Sequence, residues 1–236
     1  METRLTEFVE RAKAAAGANL TAIVLYGSAV TEEFVAKHSD LNILCIVGLA
    51  GSRELEQLHP LAEWWVRHGD STPIIFTMEE LRAATDVFAI ELLDMKLRHR
   101  MLFGQEFLQT FEVSMELHRL QVERELRTNW LRLRQSVLLA PAKRKAQLGI
   151  MLASISAFCA LFRHAVIALG QPAPITKRDA VNAVAALTSA NPSAFLSILD
   201  WREGKRKERE IPADTTLQTY LEFVEVATSQ LCSRVS

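Results

Sequence analysis

The stretch LYGSAVTEEFVAKHSDLNILCIV, Leu25 to Val47, decides how this chain is read. It closes one apolar, β-branched run, TAIVLYG (Thr21–Gly27), and contains a second, LNILCIV (Leu41–Val47). Both have the length and composition of strands. The first strand delivers Gly27-Ser28 at its end, a helical piece follows, and Ser39-Asp40-Leu41-Asn42 opens the second strand. A glycine at such a turn lets backbone amides approach a phosphate closely, and a helix start favours anions. The Ser28 hydroxyl adds a hydrogen-bond donor for terminal phosphates. An acid at the head of the next strand, Asp40, can hold Mg²⁺ against the phosphate oxygens.

Working outward, Thr3–Ala16 reads as a helix with Leu5, Phe8, Val9 and Ala12 on one stripe, ended by Gly17-Ala18-Asn19. Ser52–His68 reads as a second helix, with Ser52 as N-cap and Gly69 as stop. TPIIFT (Thr72–Thr77) is a third strand. After Glu79 only helical patterns are predicted: Asp86–Arg100, Met115–Ala140, Ala142–Leu169, Thr176–Ala190, Pro192–Lys207 and Thr215–Val235. Breaks fall at Gly104, Pro141, Gly170–Pro174, Asn191-Pro192 and Ile211-Pro212. The expected fold is α+β: a small mixed sheet with flanking helices over 1–104, then an all-α bundle over 105–236.

The segment Leu25–Val47 resembles the nucleotidyltransferase superfamily that includes DNA polymerase beta and the aminoglycoside nucleotidyltransferases. The signature there is an apolar strand ending Gly-Ser, about ten residues, then Asp-x-Asp within a second strand; a third carboxylate follows on a later strand. Here Gly27-Ser28 match, eleven residues intervene, and Asp40 matches the first acid. The similarity covers roughly residues 20–100, and Asp86–Gly104 looks like the helix that follows this domain in many bacterial members. By resemblance, Gly27 and Ser28 bind nucleotide phosphates, and Asp40 is the first catalytic and metal-binding carboxylate. Family enzymes transfer a nucleotidyl group by in-line attack of a hydroxyl on the α-phosphorus, with two Mg²⁺ held by the acids.

Two departures set the functional expectation. The second acid of the pair is Asn42, and the strand Thr72–Thr77 carries no carboxylate; Asp70 precedes it and Glu79 and Glu80 follow it. Two divalent ions about 4 Å apart repel by roughly 17 kcal/mol at an effective dielectric of about 20. A single carboxylate offsets little of that, and Asn42 is only a weak, neutral metal ligand. The family's usual general base, the third acid, is also absent from its place. The expectation is therefore an NTP-binding or interaction module with one Mg²⁺ rather than two and weak or no transferase activity. The alternatives are an active transferase with ligands from elsewhere in the fold, moving NMP from an NTP to a small molecule, protein or RNA hydroxyl, and a structural homo-oligomer without ligand. His38 reads as a solvated loop residue, and Glu32 and Glu33 as exposed.

Composition supports a soluble, ordered chain: 49% hydrophobic, 23% charged, formal net charge -1. That balance gives no global pull toward nucleic acid. Eight basic residues between Arg119 and Lys145, against Glu123 and Glu125, leave RNA or phosphate binding open. No Arg lies four to six residues ahead of His99, His118 or His164, the pattern of a fused HEPN-type nuclease. Cys45, Cys159 and Cys232 form no CxxC and read as buried thiols in a reducing cytoplasm. METRLTEFVERAK is amphipathic rather than a signal peptide. The uncharged run Ala146–Phe162 is near the length of a bilayer span, but it carries Gln147, Ser154 and Ser156, and Arg163-His164 follow it. It is expected to be a bundle helix.

Overall fold

The computed structural model describes residues 1–30 and 41–235, and the chain divides into two compact units, Met1–Ser114 and Met115–Ser236. The helical piece expected between the first two strands, with Glu32, Glu33 and His38, lies outside the described residues, as does Asp40.

The first unit is built on a four-stranded sheet of order β3-β2-β1-β4. Its strands are β1 (Leu20–Tyr26), β2 (Asn42–Val47), β3 (Ile74–Thr77) and β4 (His99–Phe103). β1 runs antiparallel to β2 and to β4, whereas β3 lies parallel to β2. Period-two alternation sends Ile23, Leu25, Ile43 and Cys45 to one face, where they pack with Leu5, Phe8, Leu61 and Trp65. Those last four come from α1 (Glu2–Ala16) and α2 (Ser52–Arg67). The stripe Leu5, Phe8, Val9 and Ala12 is buried as its spacing requires. Ala22, Val24, Leu44 and Ile46 face the other way. They pack with Leu81 of α3 (Met78–Ala83), Leu92 and Met95 of α4 (Ala89–Leu97), and Leu108 and Phe111 beyond β4.

Two sequence readings are corrected here. Asp86–Arg100 is not one helix: α4 ends at Leu97, and the chain enters β4, a fourth strand that pairs along β1. β4 was hidden because HRMLF carries two polar residues and no helix breaker precedes it; its stability comes from pairing with a strand about 75 residues earlier, which local pattern does not encode. Gly104 explains where β4 stops. Its φ is +85, and a Cβ there would lie 2.4 Å from the Thr21 carbonyl oxygen. Ser52, read as an N-cap, is instead the first residue of α2, and Gly51 precedes it without a side-chain cap.

The second unit is a bundle of α5 (Met115–Leu139), α6 (Arg144–Ala168), α7 (Lys177–Thr188), α8 (Ser193–Arg202) and α9 (Ala213–Val235). α6 is long and apolar enough to cross a membrane, yet it packs against all four other helices and is the core helix of the bundle. Its polar residues are used internally. Ser154 shares a 2.9 Å hydrogen bond with the Tyr220 hydroxyl, Gln147 donates to Asp214 at 2.6 Å, and Arg202 donates to Ser156. Phe195 stacks on Tyr220 with centroids 4.1 Å apart, and Phe158, Phe162 and Phe223 surround the pair.

Candidate functional site

The site is fixed by what happens at one end of the sheet. β1 and β2 are antiparallel and Tyr26 pairs with Asn42, so the turn beginning at Gly27 sits at the end of the sheet where β2 begins. Gly27 has φ +79 and opens a single 3-10 turn, Gly27–Val30, whose backbone carries Ser28. A left-handed φ is costly for any residue with a Cβ. Space is short as well, since a Cβ on Gly27 would lie 3.3 Å from Asn42 Nδ2. The glycine thus lets the turn close onto the Asn42 amide. Gly27 N–H donates to the Arg98 carbonyl at 3.1 Å, which ties the turn to the entry of β4.

Across the strands at this level the register sets a row of side chains. Asn42 pairs with Tyr26, and Tyr26 pairs with His99. Directly paired residues share a face, and strict alternation along β2 puts Asn42 with Leu44 and Ile46, on the face that α4 covers. On the other side of Asn42, Leu44 pairs with Ile74 in parallel. Continuing that register back by two residues brings exposed Thr72 level with Asn42. The row therefore reads Thr72, Asn42, Tyr26, His99, and it contains no carboxylate.

The acids nearest in sequence to β3 lie elsewhere. Thr77 pairs with Val47, at the opposite end of β2 from Asn42, about 16 Å away at ~3.3 Å per residue. Glu79 and Glu80 follow Thr77 and so belong to that far end. Glu80 is committed there: its carboxylate accepts from Thr77 N–H at 2.8 Å and its own N–H donates to Thr77 Oγ1 at 3.1 Å, a capping box at the start of α3. Those hydrogen bonds hold its pKa below the ordinary value. Asp70 lies at the correct end but is buried against α1. It accepts from Leu41 N–H at 3.0 Å and pairs with Arg4 at 3.2 Å.

Side chains that the sequence reading did not single out fill the rest of this end. Burial pushes the Tyr26 phenol up to about 12, helped by the negative charge of Glu91 on α4. Glu91, an exposed residue at the start of α4, thus lies near enough for its charge to act on Tyr26. His99 Nε2 and Glu106 Oε2 are 2.5 Å apart, and Glu106 also accepts from Leu108 N–H at 2.7 Å. Against the upward pull of partial burial, the His99 contact and these bonds keep Glu106 below the usual carboxylate range. Only the placement of Tyr26 next to Gly27 was visible beforehand; His99 required knowing β4. Among the described residues no three His, Cys, Asp or Glu side chains are grouped to hold a metal ion.

The eight basic residues between Arg119 and Lys145 are exposed on the second unit. Arg119 donates to the Ala168 carbonyl, Arg127 pairs with Glu123 at 2.8 Å, and Arg134 lies over Trp130 at 5.7 Å. Arg144 donates to the carbonyls of Ile211 and Glu208. Several members of this run thus brace the helices.

No protein-family model matches this sequence, and no curated protein matches it significantly. Among solved structures, the fold is similar to that of spectinomycin adenyltransferase AAD(9) from Enterococcus faecialis, determined with ATP and spectinomycin. The TM-score is 0.54 at 16% identity, with 99% of this chain and 98% of that one covered. The chain therefore has a nucleotidyltransferase-like α+β fold, a mixed sheet with flanking helices followed by a helical half.

Proposed function

We propose that this chain is a nucleotide-binding protein of nucleotidyltransferase-like fold whose transferase activity is weak or lost. The Gly27-Ser28 turn holds the phosphates, and Asp40, with the Asn42 carboxamide as a weak second ligand, holds one Mg²⁺ beside them. One observation carries this: β3 (Ile74–Thr77), where the third carboxylate is expected, carries none, while Glu79 and Glu80 follow its end farthest from Asn42. The remaining oxygens suit a single hydrated ion that takes most of its charge compensation from the nucleotide itself. Bound there, the ion neutralises phosphate charge. The residues of the chain orient the triphosphate. The ATP in the AAD(9) structure supports ATP as the first nucleotide to try.

Isothermal titration with ATP, with and without Mg²⁺, tests the reading. Binding is expected to tighten with Mg²⁺, and Asp40→Ala is expected to remove that tightening. Affinity that ignores both metal and Asp40→Ala would refute the metal-site reading.

A second reading, active transfer, draws on Glu91 of α4, a carboxylate whose charge reaches Tyr26, the residue paired with Asn42. Incubating the protein and a cell extract with labelled NTPs tests this reading. A labelled product abolished by Asp40→Ala and by Glu91→Gln would establish it; no product in the extract would retire it.

A further inference from the structure

In the second unit α5 packs along α9. Arg127 of α5 stands close enough to Cys232 of α9 for each to act on the other's charge. Farther along α5, Trp130, Arg134, Val137 and Leu138 line an open groove of about 440 Å³ with Leu221 and Glu225 of α9. Residue numbers rise on one wall as they fall on the other, so the two helices are antiparallel. Arg134 lies seven residues beyond Arg127, and Glu225 seven residues before Cys232. Seven residues are about two helical turns, so Arg134 and Glu225 stand level with each other, one on each wall. Arg134 lies over Trp130 at 5.7 Å, and among the described residues neither it nor Glu225 is held in an ion pair.

Two further properties of this face point to a partner. Leu138 is 84% exposed and Leu131, two turns back on α5, is 55% exposed. Clustered apolar side chains left in water mark a surface that another molecule covers. Charge is also divided by helix. From Arg127 to its end α5 carries Arg127, Arg132 and Arg134 and no acid, whereas α9 as far as Ser233 carries Asp214, Glu222 and Glu225 and no base. All six charged residues are exposed.

A basic wall beside an acidic wall, with an apolar groove between them, is complementary to its own copy. A two-fold axis parallel to the helices lays α5 of one copy on α9 of the other without changing level. Arg134 then meets the partner's Glu225, Glu225 meets the partner's Arg134, and Trp130, Leu138 and Leu221 close on the matching groove. A two-fold axis at right angles to the helices would instead set α5 on α5, arginine against arginine. Like charges brought together across an interface are costly, so charge selects the first arrangement. We propose that this chain forms a two-fold dimer through the groove between α5 and α9, its register set by two Arg134–Glu225 ion pairs. All of these residues belong to the helical half, so the dimer forms with or without nucleotide.

Sedimentation velocity of the full chain tests this, with protein raised to about 100 μM, where a dimer of micromolar Kd is mostly assembled. The wild-type protein should pass from monomer to dimer as concentration rises. Arg134→Glu and Glu225→Arg each make both pairs repulsive and should weaken the dimer about tenfold or more. Mixed in equal amounts, the two variants should associate more tightly than either does alone, because opposite charges then face each other across the axis. Leu138→Asp should leave a monomer whose melting temperature matches that of the wild-type monomer, since Leu138 is already in water. Wild-type protein that stays monomeric throughout would overturn the proposal. If that monomer sediments with phosphatidylserine vesicles and Leu138→Asp does not, the face belongs to an anionic lipid surface instead. A dimer that tolerates all three substitutions, or a mixture no tighter than its parents, would overturn it too.

Discussion

Replacing Gly27 by alanine separates backbone strain from damage to the site, because the structure supplies its own control. Gly27 and Gly69 have nearly the same backbone, φ +79 and +84. A side chain in that left-handed region costs about 1–2 kcal/mol. At Gly69 an added Cβ meets nothing within 4 Å, so strain is the whole penalty. At Gly27 the Cβ would sit 3.3 Å from Asn42 Nδ2, closer than ordinary van der Waals contact, and the amide must give by a few tenths of an ångström. Both variants should therefore lose about 2–8 °C in melting temperature. They should part in ATP binding. Losing one charge-assisted hydrogen bond to a phosphate costs about 1.5–3 kcal/mol, so Gly27→Ala should bind ATP at least tenfold more weakly. Gly69→Ala, in the turn after α2 and outside the Gly27-Ser28 turn, should bind as wild type. Differential scanning fluorimetry and isothermal titration at one salt concentration read both quantities. Equal ATP affinities in two equally folded variants would refute the placement of the phosphates at this turn.

Three further outcomes follow from the same geometry. Asn42→Asp restores the second acid on the row and should strengthen Mg²⁺-dependent ATP binding by about tenfold, read by titration, since ligand charge count tunes affinity. His118 is buried against His164, with Nε2 and Nδ1 3.0 Å apart; burial first, then His164 and Arg119, push its pKa down to about 4. The unfolded chain then binds the extra proton below an ordinary pKa near 6.5, so stability falls as pH drops through that value and levels off below about 4. Urea unfolding should show about 2 kcal/mol less stability at pH 5 than at pH 7, and His118→Phe should flatten that slope. All three cysteines are buried, and burial pushes the Cys45 thiol up to about 12. A thiol reagent should label none of them quickly in the native protein and three per chain in urea.

The strand–turn–strand at the heart of the fold was legible because its two signals, apolar β-branched runs and a Gly-Ser turn, are local. The α1 stripe was legible for the same reason, with Leu5, Phe8, Val9 and Ala12 recurring at helical spacing. β4 was not. His99 and Arg100 look like the charged end of a helix, and only the backbone of β1 beside them makes them a strand. The candidate site was half readable: Gly27, Ser28, Asp40 and Asn42 come from one motif, whereas Thr72 and His99 join them through register. Asp70 shows the limit most clearly. Twenty-nine residues separate it from Leu41, and its carboxylate meets that backbone through the packing of α1 and α2, which no spacing rule anticipates.

The number of metal ions beside a bound nucleotide tests the account most directly. Crystals soaked with ATP and Mn²⁺ can be read by anomalous scattering at the Gly27-Ser28 turn. One manganese peak, bridging Asp40 and the phosphates, is the expected result. Two peaks about 4 Å apart, with Glu91 or another side chain completing the second shell of ligands, would contradict the claim that this row of neutral side chains supports only one ion.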